Sequence, residues 1–517
     1  METQRHQNIL FITADQWRGD CLSLLGHPTV LTPHMDALAK EATVFTQHYT
    51  CAVPCGPSRT SLLTGLYPSV HRSVCNGTPL DARHSNVAKE VRKLGYDPIL
   101  LGYTDTSIDP REVTGDDSRL KSYEGVMDGF RLEASFNESR LNGWLTELRR
   151  KGYTIPANHR DIYLPADGSH IFDMRPAVYR AEDSDSAYIT DSAIHYLESQ
   201  AGHEPWFIHA VYYRPHPPLI APAPYNTQYD PNDLSLPSRC SSWEEEAQQH
   251  PYLAARLAYE RRSYSYDARI NTVEASDEIQ RMMRAVYFGL ISEVDFQIGR
   301  LLSYLKDTDN YDNTLIIVTS DHGEMLGEHW CWGKAGYFDS AMHIPLIIRV
   351  PEAHAHKGHQ VDAFTESVDL VPTILNWLGA EPPHECDGYS LLPWCQGKAL
   401  KAWRTSVFWE YDFRTLDTYH NENALQLTPD QCTLNVIRDK HYKYVHFTAL
   451  PPLLFDLQKD PGEHINLAQN PDYQNIVADY AGQLLSHRML HAERTLTNHM
   501  LTPQGLVKYT GPRRRYG

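Results

Sequence analysis

The 517-residue chain contains no apolar run approaching the roughly 18 residues that a membrane-crossing helix requires. That absence excludes a spanning protein and predicts no membrane partner. Paired cysteine spacings are missing as well. Cys21, Cys51, Cys55, Cys75, Cys240, Cys331, Cys386, Cys395 and Cys432 form an odd, scattered set, which argues against a disulfide framework or a zinc ribbon and leaves most of them as core thiols. Basic charge is scarce: 47 Lys and Arg against 65 Asp and Glu give a net charge of -18. Nucleic acid is therefore disfavoured as a partner, and an anionic substrate has to be attracted locally. Arg513-Arg514-Arg515 is the one compact basic cluster and reads as a solvated tail. There is no internal repeat or low-complexity tract. The segment Met1 to Asn8 lacks the apolar region and cleavage site of a secretory signal, so a cytoplasmic location is expected.

What is present is enough sequence for more than one core, and we expect a large catalytic domain over 1–399 with a smaller companion over 400–517. Short continuous apolar runs at Asn8 to Ala14, Pro98 to Tyr103, Trp206 to Tyr212, Thr314 to Thr319 and Pro345 to Val350 read as interior strands covered on both faces. Helical patterns lie between them: Val87, Val91 and Leu94 ending at Gly95; Val286 through Leu305; Leu370, Ile374 and Leu378 ending at Gly379. The alternation predicts an α/β sandwich with a mostly parallel sheet, whose ligands gather at the strands' carboxyl ends. The polar stretches 104–185 and 217–275 read as insertions over the site. From about residue 400, the runs Ser406 to Tyr411, Thr433 to Ile437 and Tyr442 to Phe447 suggest a small antiparallel sheet.

Chemistry-bearing residues follow the predicted strand ends. Asp15 and Asp321-His322 offer oxygen and nitrogen donors for a hard divalent cation, although Asp15 could equally cap its strand. In Tyr213-Arg214-Pro215-His216-Pro217-Pro218 the prolines fix the backbone around His216, which suits a proton donor or a packed loop histidine. The run Cys55-Gly56-Pro57-Ser58-Arg59-Thr60-Ser61-Leu62-Leu63-Thr64-Gly65 places a thiol at a helix start. Pro57 fits the first helical position, Gly65 the left-handed residue that ends the helix, and the dipole favours an anion at Cys55. Arg59, close in sequence, would stabilise that anion or lie on the helix surface.

The run resembles the C-x-P-S-R-x-x-L-L-T-G signature of type I sulfatases, and Asp321 to His329 resembles their D-[NH]-G-x-x-L-G-x-H element. With Asp15-Gln16-Trp17-Arg18, Asn76, Gly102-Tyr103-Thr104, Tyr213 to Pro218, Lys334, and a closing Leu454 to Leu467, the chain resembles the arylsulfatase/phosphonate monoester hydrolase branch of the alkaline phosphatase superfamily. The resemblance implies that Cys55 is oxidised to formylglycine by a formylglycine-generating enzyme. It implies one divalent cation held by Asp15, modified Cys55, Asp321 and His322, with Gln16, Asn76, Tyr103, His216 and Lys334 lining an anion pocket. Lys334 would meet the leaving group or the anion's oxygens, and His329 would contact substrate or support those that do. Many sulfatases carry D-D and D-N where this chain has Asp15-Gln16 and Asp321-His322. Ca²⁺ and Mn²⁺ both remain open, since imidazole is compatible with manganese.

Asp105 follows Tyr103-Thr104 where phosphonate monoester hydrolases are threonine-rich. A carboxylate there would repel a dianion more than a monoanion, which disfavours phosphate monoesters. The expected activity is hydrolysis of sulfate esters, arylsulfatase type, with promiscuity toward phosphonate monoesters and phosphodiesters; the alternative is a phosphonate monoester hydrolase/phosphodiesterase using the same site. The hydrated aldehyde would attack sulfur or phosphorus while His216 or Lys334 assists the leaving alcohol, and its second hydroxyl would then expel the product. Leu501 to Leu506 reads as an arm on a neighbour or a frayed end, and a homo-oligomer, dimer or tetramer, is expected.

Overall fold

The computed structural model describes residues 7–509 except 138–140, 166–172, 201–204, 261–270, 335, 352–353, 399 and 401. Arg513 to Arg515 lie outside the described residues. Eight strands form the main sheet: β1 (Asn8–Ala14), β2 (Thr43–Tyr49), β3 (Pro98–Gly102), β4 (Arg131–Ser135), β5 (Phe207–Tyr212), β6 (Thr314–Ser320), β7 (Leu346–Arg349) and β8 (His359–Glu366). Their order is β4-β3-β5-β1-β6-β7-β2-β8. Only β7 runs antiparallel to its neighbours, against both β6 and β2. Every residue of β1, β3, β5, β6 and β7 is buried, as continuous apolar strands under helices on both faces must be.

The five anticipated strands are therefore all present in the interior of the sheet. The three that were not anticipated have weaker patterns. β4 and β8 are edges with partly exposed faces, and β2 mixes Thr, Gln and His into its run, so neither continuous apolarity nor clean alternation marks them. β4 also corrects the reading of 104–185 as a mere insertion, because that stretch completes the sheet. The expected helices appear at Val87–Arg92, Asp277–Asp307 and Leu370–Trp377.

Strand register sets up the site. β1 lies parallel between β5 and β6, with Ala14 opposite both Tyr212 and Ser320. The residues that follow, Asp15 and Asp321, consequently leave the sheet side by side.

A second sheet, order β12-β11-β10-β9, is antiparallel and consists of β9 (Val407–Asp412), β10 (Thr433–Arg438), β11 (Tyr442–Phe447) and β12 (Leu453–Asp456). One face packs Ile437, Tyr444 and Leu454 against Tyr480 and Leu484 of the helix Gln474–Leu490. The other packs Trp409, Val436 and Phe455 against Tyr49, Val53, Tyr337 and Phe338 of the main body. The contact reaches the backbone: the Glu410 N–H donates to the Cys51 carbonyl at 3.0 Å, and Ala52 bridges Glu410. A hairpin of β13 (His499–Thr502) and β14 (Gly505–Lys508) ends the described chain, with Leu501, Leu506 and Val507 exposed. Among the described residues no helix is long and apolar enough to cross a membrane, and all nine cysteines are free thiols.

Candidate active site

The helix Cys55–Thr64 is buried along its whole length. It begins at Cys55 itself, so Pro57 occupies the third position rather than the first; its missing N–H still costs nothing, since the first four N–H groups have no partner inside a helix. Gly65 ends the helix at φ 70°, and a Cβ there would stand 2.6 Å from the Cys386 sulfur. Leu62 and Leu63 anchor the helix in the core, a contribution of about 1.5–3 kcal/mol each. At the open end, the Gly56 N–H donates to Asn76 Oδ1 at 2.9 Å.

Cys55 Sγ then faces the strand ends. It lies 3.2 Å from His322 Nε2, 3.2 Å from Lys334 Nζ and 4.0 Å from Asp15 Oδ1. His322 Nε2 is 3.7 Å from Asp15 Oδ1 and from Asp321 Oδ2. One ligand atom from each of Asp15, Cys55, Asp321 and His322 falls within 4.8 Å of all the others, and all four residues are buried. Two carboxylates, one imidazole and one position that can carry sulfur or oxygen fit a divalent cation.

The neighbours orient these donors. Arg59 donates through Nη2 to Asp15 Oδ2 at 2.8 Å and through Nε to Asp321 Oδ2 at 2.9 Å, with Nη1 on the Tyr103 carbonyl at 2.9 Å. The Tyr103 hydroxyl donates to Asp15 Oδ2 at 2.5 Å, and its ring lies 4.0 Å under the guanidinium. These contacts occupy the outer carboxylate oxygen of Asp15 and leave Oδ1 toward Cys55. Asp321 Oδ1 accepts the N–H groups of Gln16 and His322 at 3.0 and 2.9 Å. Arg59 is therefore a clamp between two carboxylates, not a group aimed at Cys55, which differs from the role its position beside the cysteine suggested.

Electrostatics follow from burial. Burial raises the Cys55 thiol well above its ordinary value, and Asp15 raises it further; the helix dipole does not prevail, and an unmodified thiol in this position stays protonated. His322 is lowered to about 4, chiefly by burial. Its Nδ1 lies 3.0 Å from the Gly323 carbonyl, so Nδ1 takes the proton and Nε2 presents a lone pair to the cluster. Burial opposes the charge on Lys334, but Cys55, Asp15 and Asp321 outweigh it and raise its pKa. Burial raises Asp321 too, but His322, Arg59 and Lys334 win and hold it below the usual range. Asp105 goes the other way. Burial pushes it up to about 8 although Arg59 Nε is 3.8 Å away, so the repulsion of dianions expected from its carboxylate operates only above that pH.

The remaining predicted residues sit at the margin. Gln16, at φ 69°, receives Lys334 Nζ on its Oε1 at 2.8 Å. His216 is half-buried, with Nδ1 2.7 Å from the Pro217 carbonyl; its ring centroid is 4.9 Å from that of Tyr213, which faces Tyr103 at 6.3 Å. His329 is directed elsewhere: its Nδ1 is 2.8 Å from Glu246 and its ring stacks on Phe338 at 3.9 Å. Sequence reasoning missed Glu324, which accepts from the Gln16 amide and from the N–H groups of Leu326 and Gly333. It also missed Tyr287, whose hydroxyl donates to the Gln16 carbonyl at 2.6 Å. Glu324 lay inside the Asp321 to His329 motif and was legible there; Tyr287 lay on a helix face indistinguishable from core.

A buried Asp, Cys, Asp, His quartet at the carboxyl ends of an alkaline-phosphatase-like sheet defines a hydrolase of the sulfatase family, and the chain belongs to that family. The sulfatase family model matches residues 7–380, and that of the N-sulphoglucosamine sulphohydrolase C-terminal region matches 327–489. The chain is 44% identical over 510 residues to the multifunctional alkaline phosphatase superfamily protein PehA of Trinickia caryophylli, covering 97% of this chain and 99% of that one. It is 26% identical to an arylsulfatase of Clostridium perfringens, covering 95% and 96%. Among solved structures it is similar to the phosphonate monoester hydrolase of Agrobacterium radiobacter, with a TM-score of 0.94, 42% identity, and 98% and 100% of the two chains covered. The phosphonate monoester hydrolase SpPMH of Silicibacter pomeroyi superposes with a TM-score of 0.92 at 43% identity, covering 97% and 99%.

Proposed function

We propose that this hydrolase cleaves monoanionic esters, phosphonate monoesters and phosphodiesters foremost. The observation that carries the reading is end-to-end likeness to two phosphonate monoester hydrolases at 42% and 43% identity. Sulfate esters, also monoanions, are the second reading, favoured by the Cys55-Gly56-Pro57-Ser58-Arg59 run and by the family model.

Cys55, converted to formylglycine by a formylglycine-generating enzyme, supplies the nucleophilic oxygen as its aldehyde hydrate. A divalent cation, Ca²⁺ or Mn²⁺, held by Asp15, Asp321, His322 and the side chain at 55, supplies Lewis acidity and charge neutralisation. Arg59 keeps the two carboxylates at their spacing and offsets their mutual repulsion. Lys334, poised beside position 55 and held by Gln16, meets the anionic oxygens of the substrate. Asn76 fixes the helix start, Tyr103 orients Asp15, and Asp105 lines the pocket. His216, with Nδ1 committed to the Pro217 carbonyl, delivers a proton from Nε2 to the leaving oxygen. The exposed apolar residues of the β13–β14 hairpin support a homodimer or tetramer, which light scattering would contradict by giving the mass of one chain.

The deciding experiment compares kcat/KM for an aryl phosphonate monoester, an aryl phosphodiester and an aryl sulfate on metal-analysed protein. Pure sulfate preference would reverse the two readings. Turnover by protein whose Cys55 peptide is wholly unmodified by mass spectrometry would remove the nucleophile from the scheme.

A further inference from the structure

A second group of metal-ligating side chains stands outside the cluster at Cys55. Cys240, Glu246 and His464 bring one sulfur, one carboxylate oxygen and one imidazole nitrogen within 4.8 Å of one another. Cys240 precedes the helix Trp243–Gln248, Glu246 lies within that helix, and His464 comes from the loop after β12. Glu246 is fully buried, while Cys240 and His464 are half-buried.

The group is already oriented. Glu246 accepts the Cys240 N–H on Oε2 at 3.0 Å and faces His329 Nδ1 through Oε1 at 2.8 Å. His329 is itself fixed, stacked on Phe338 and donating its backbone N–H to the Ser238 carbonyl at 2.9 Å. An imidazole holding a ligand carboxylate from behind is the kind of outer support that metal sites use. Besides the hydrogen bond between the Cys240 thiol and the Glu246 carboxyl, the inner partners are neutral: the Gln249 amide on Cys240 Sγ at 3.0 Å and the Ser238 hydroxyl on His464 Nε2 at 2.7 Å. A divalent cation would outcompete both. The adjacent Arg239 guanidinium is engaged by Asp277 at 2.7 Å and by the Trp330 ring at 3.7 Å, so its charge is already met.

We propose that Cys240, Glu246 and His464 form a second metal site, selective for zinc-class cations, which clips the helix Trp243–Gln248 and its lead-in to the loop following β12. Sulfur and imidazole donors select zinc or its analogues over calcium and magnesium. Tetrahedral zinc sets its ligand atoms about 3.5 Å apart, close to the present separations, none of which exceeds 4.8 Å, and a fourth position is left for water. Binding to the folded chain alone stabilises it in proportion to the logarithm of free metal.

The test uses the full-length Cys55→Ala protein, whose other cluster then carries no thiol, and reads no turnover, so it stands or falls apart from the activity proposed above. Titration with Co²⁺ is expected to give a thiolate-to-cobalt charge-transfer band that Zn²⁺ abolishes. The band should vanish in Cys55→Ala/Cys240→Ser, and Zn²⁺ should raise Tm less in that protein than in Cys55→Ala, since Asp15, Asp321 and His322 are kept in both. His464→Gln, on a half-exposed loop that should tolerate the change, is expected to weaken cobalt binding at least tenfold. Absence of the band in Cys55→Ala, its persistence without Cys240, or unchanged affinity in His464→Gln would each overturn the proposal.

Discussion

Lys334 Nζ stands 3.2 Å from Cys55 Sγ, with its charge sustained by Asp15 and Asp321 despite burial. An ammonium so close to the reacting position should stabilise negative charge that develops there during turnover. Lys334→Met is expected to lower kcat/KM by about 10²–10³ with Tm little changed. Lys334→Arg should not restore the rate, because a fork-shaped group cannot serve Gln16 and position 55 from one point. Retained activity in Lys334→Met would remove this residue from the mechanism.

Arg59 joins Asp15 and Asp321 while almost wholly buried. Arg59→Met deprives two buried carboxylates of the cation they share, and chelator-treated protein should lose about 3–5 kcal/mol in urea unfolding. Added Mn²⁺ should recover part of the loss, since a cation can replace the missing positive charge. Equal stability of the variant and the parent in chelator would contradict the clamp.

Asp105 titrates near 8 instead of 3.8, because burial penalises its charged form. The protonated folded form contributes stability fully present below the ordinary value and lost as pH rises through about 8. Asp105→Asn should flatten the decline of Tm between about pH 4 and 8 and gain relative to the parent at pH 9. The same substitution should ease any alkaline fall in kcat/KM that is steeper for an aryl phosphate than for an aryl phosphonate monoester.

His216 is assigned to the leaving oxygen, so its value depends on how much that oxygen needs a proton. His216→Asn should cost about 10²–10³ with an alkyl or unsubstituted phenyl leaving group and far less with nitrophenolate. Equal losses across the series would reassign His216 to binding.

Much of this arrangement was legible in the sequence because continuous apolar strands declare themselves. Asn8 to Ala14 and Thr314 to Ser320 end in Asp15 and Asp321, and neighbouring parallel strands deliver such ends together. What stayed hidden depends on long-range register. Nothing local tells that Arg59 turns toward two carboxylates and away from Cys55, or that His329 faces Glu246 across 83 positions. The edge strands β4 and β8 escaped because half-exposed strands need no continuous apolarity. The charge state of Asp105 was equally silent, since its protonation follows from burial that no pattern of neighbours announces.

The bridge from Ala52 to Glu410 ties the lead-in of Cys55 to a strand made late in synthesis. With that strand docked, Cys55 is only 5% exposed. A protein acting on this cysteine would meet it most readily before that strand docks, so that the timing of translation would then set how many chains become competent.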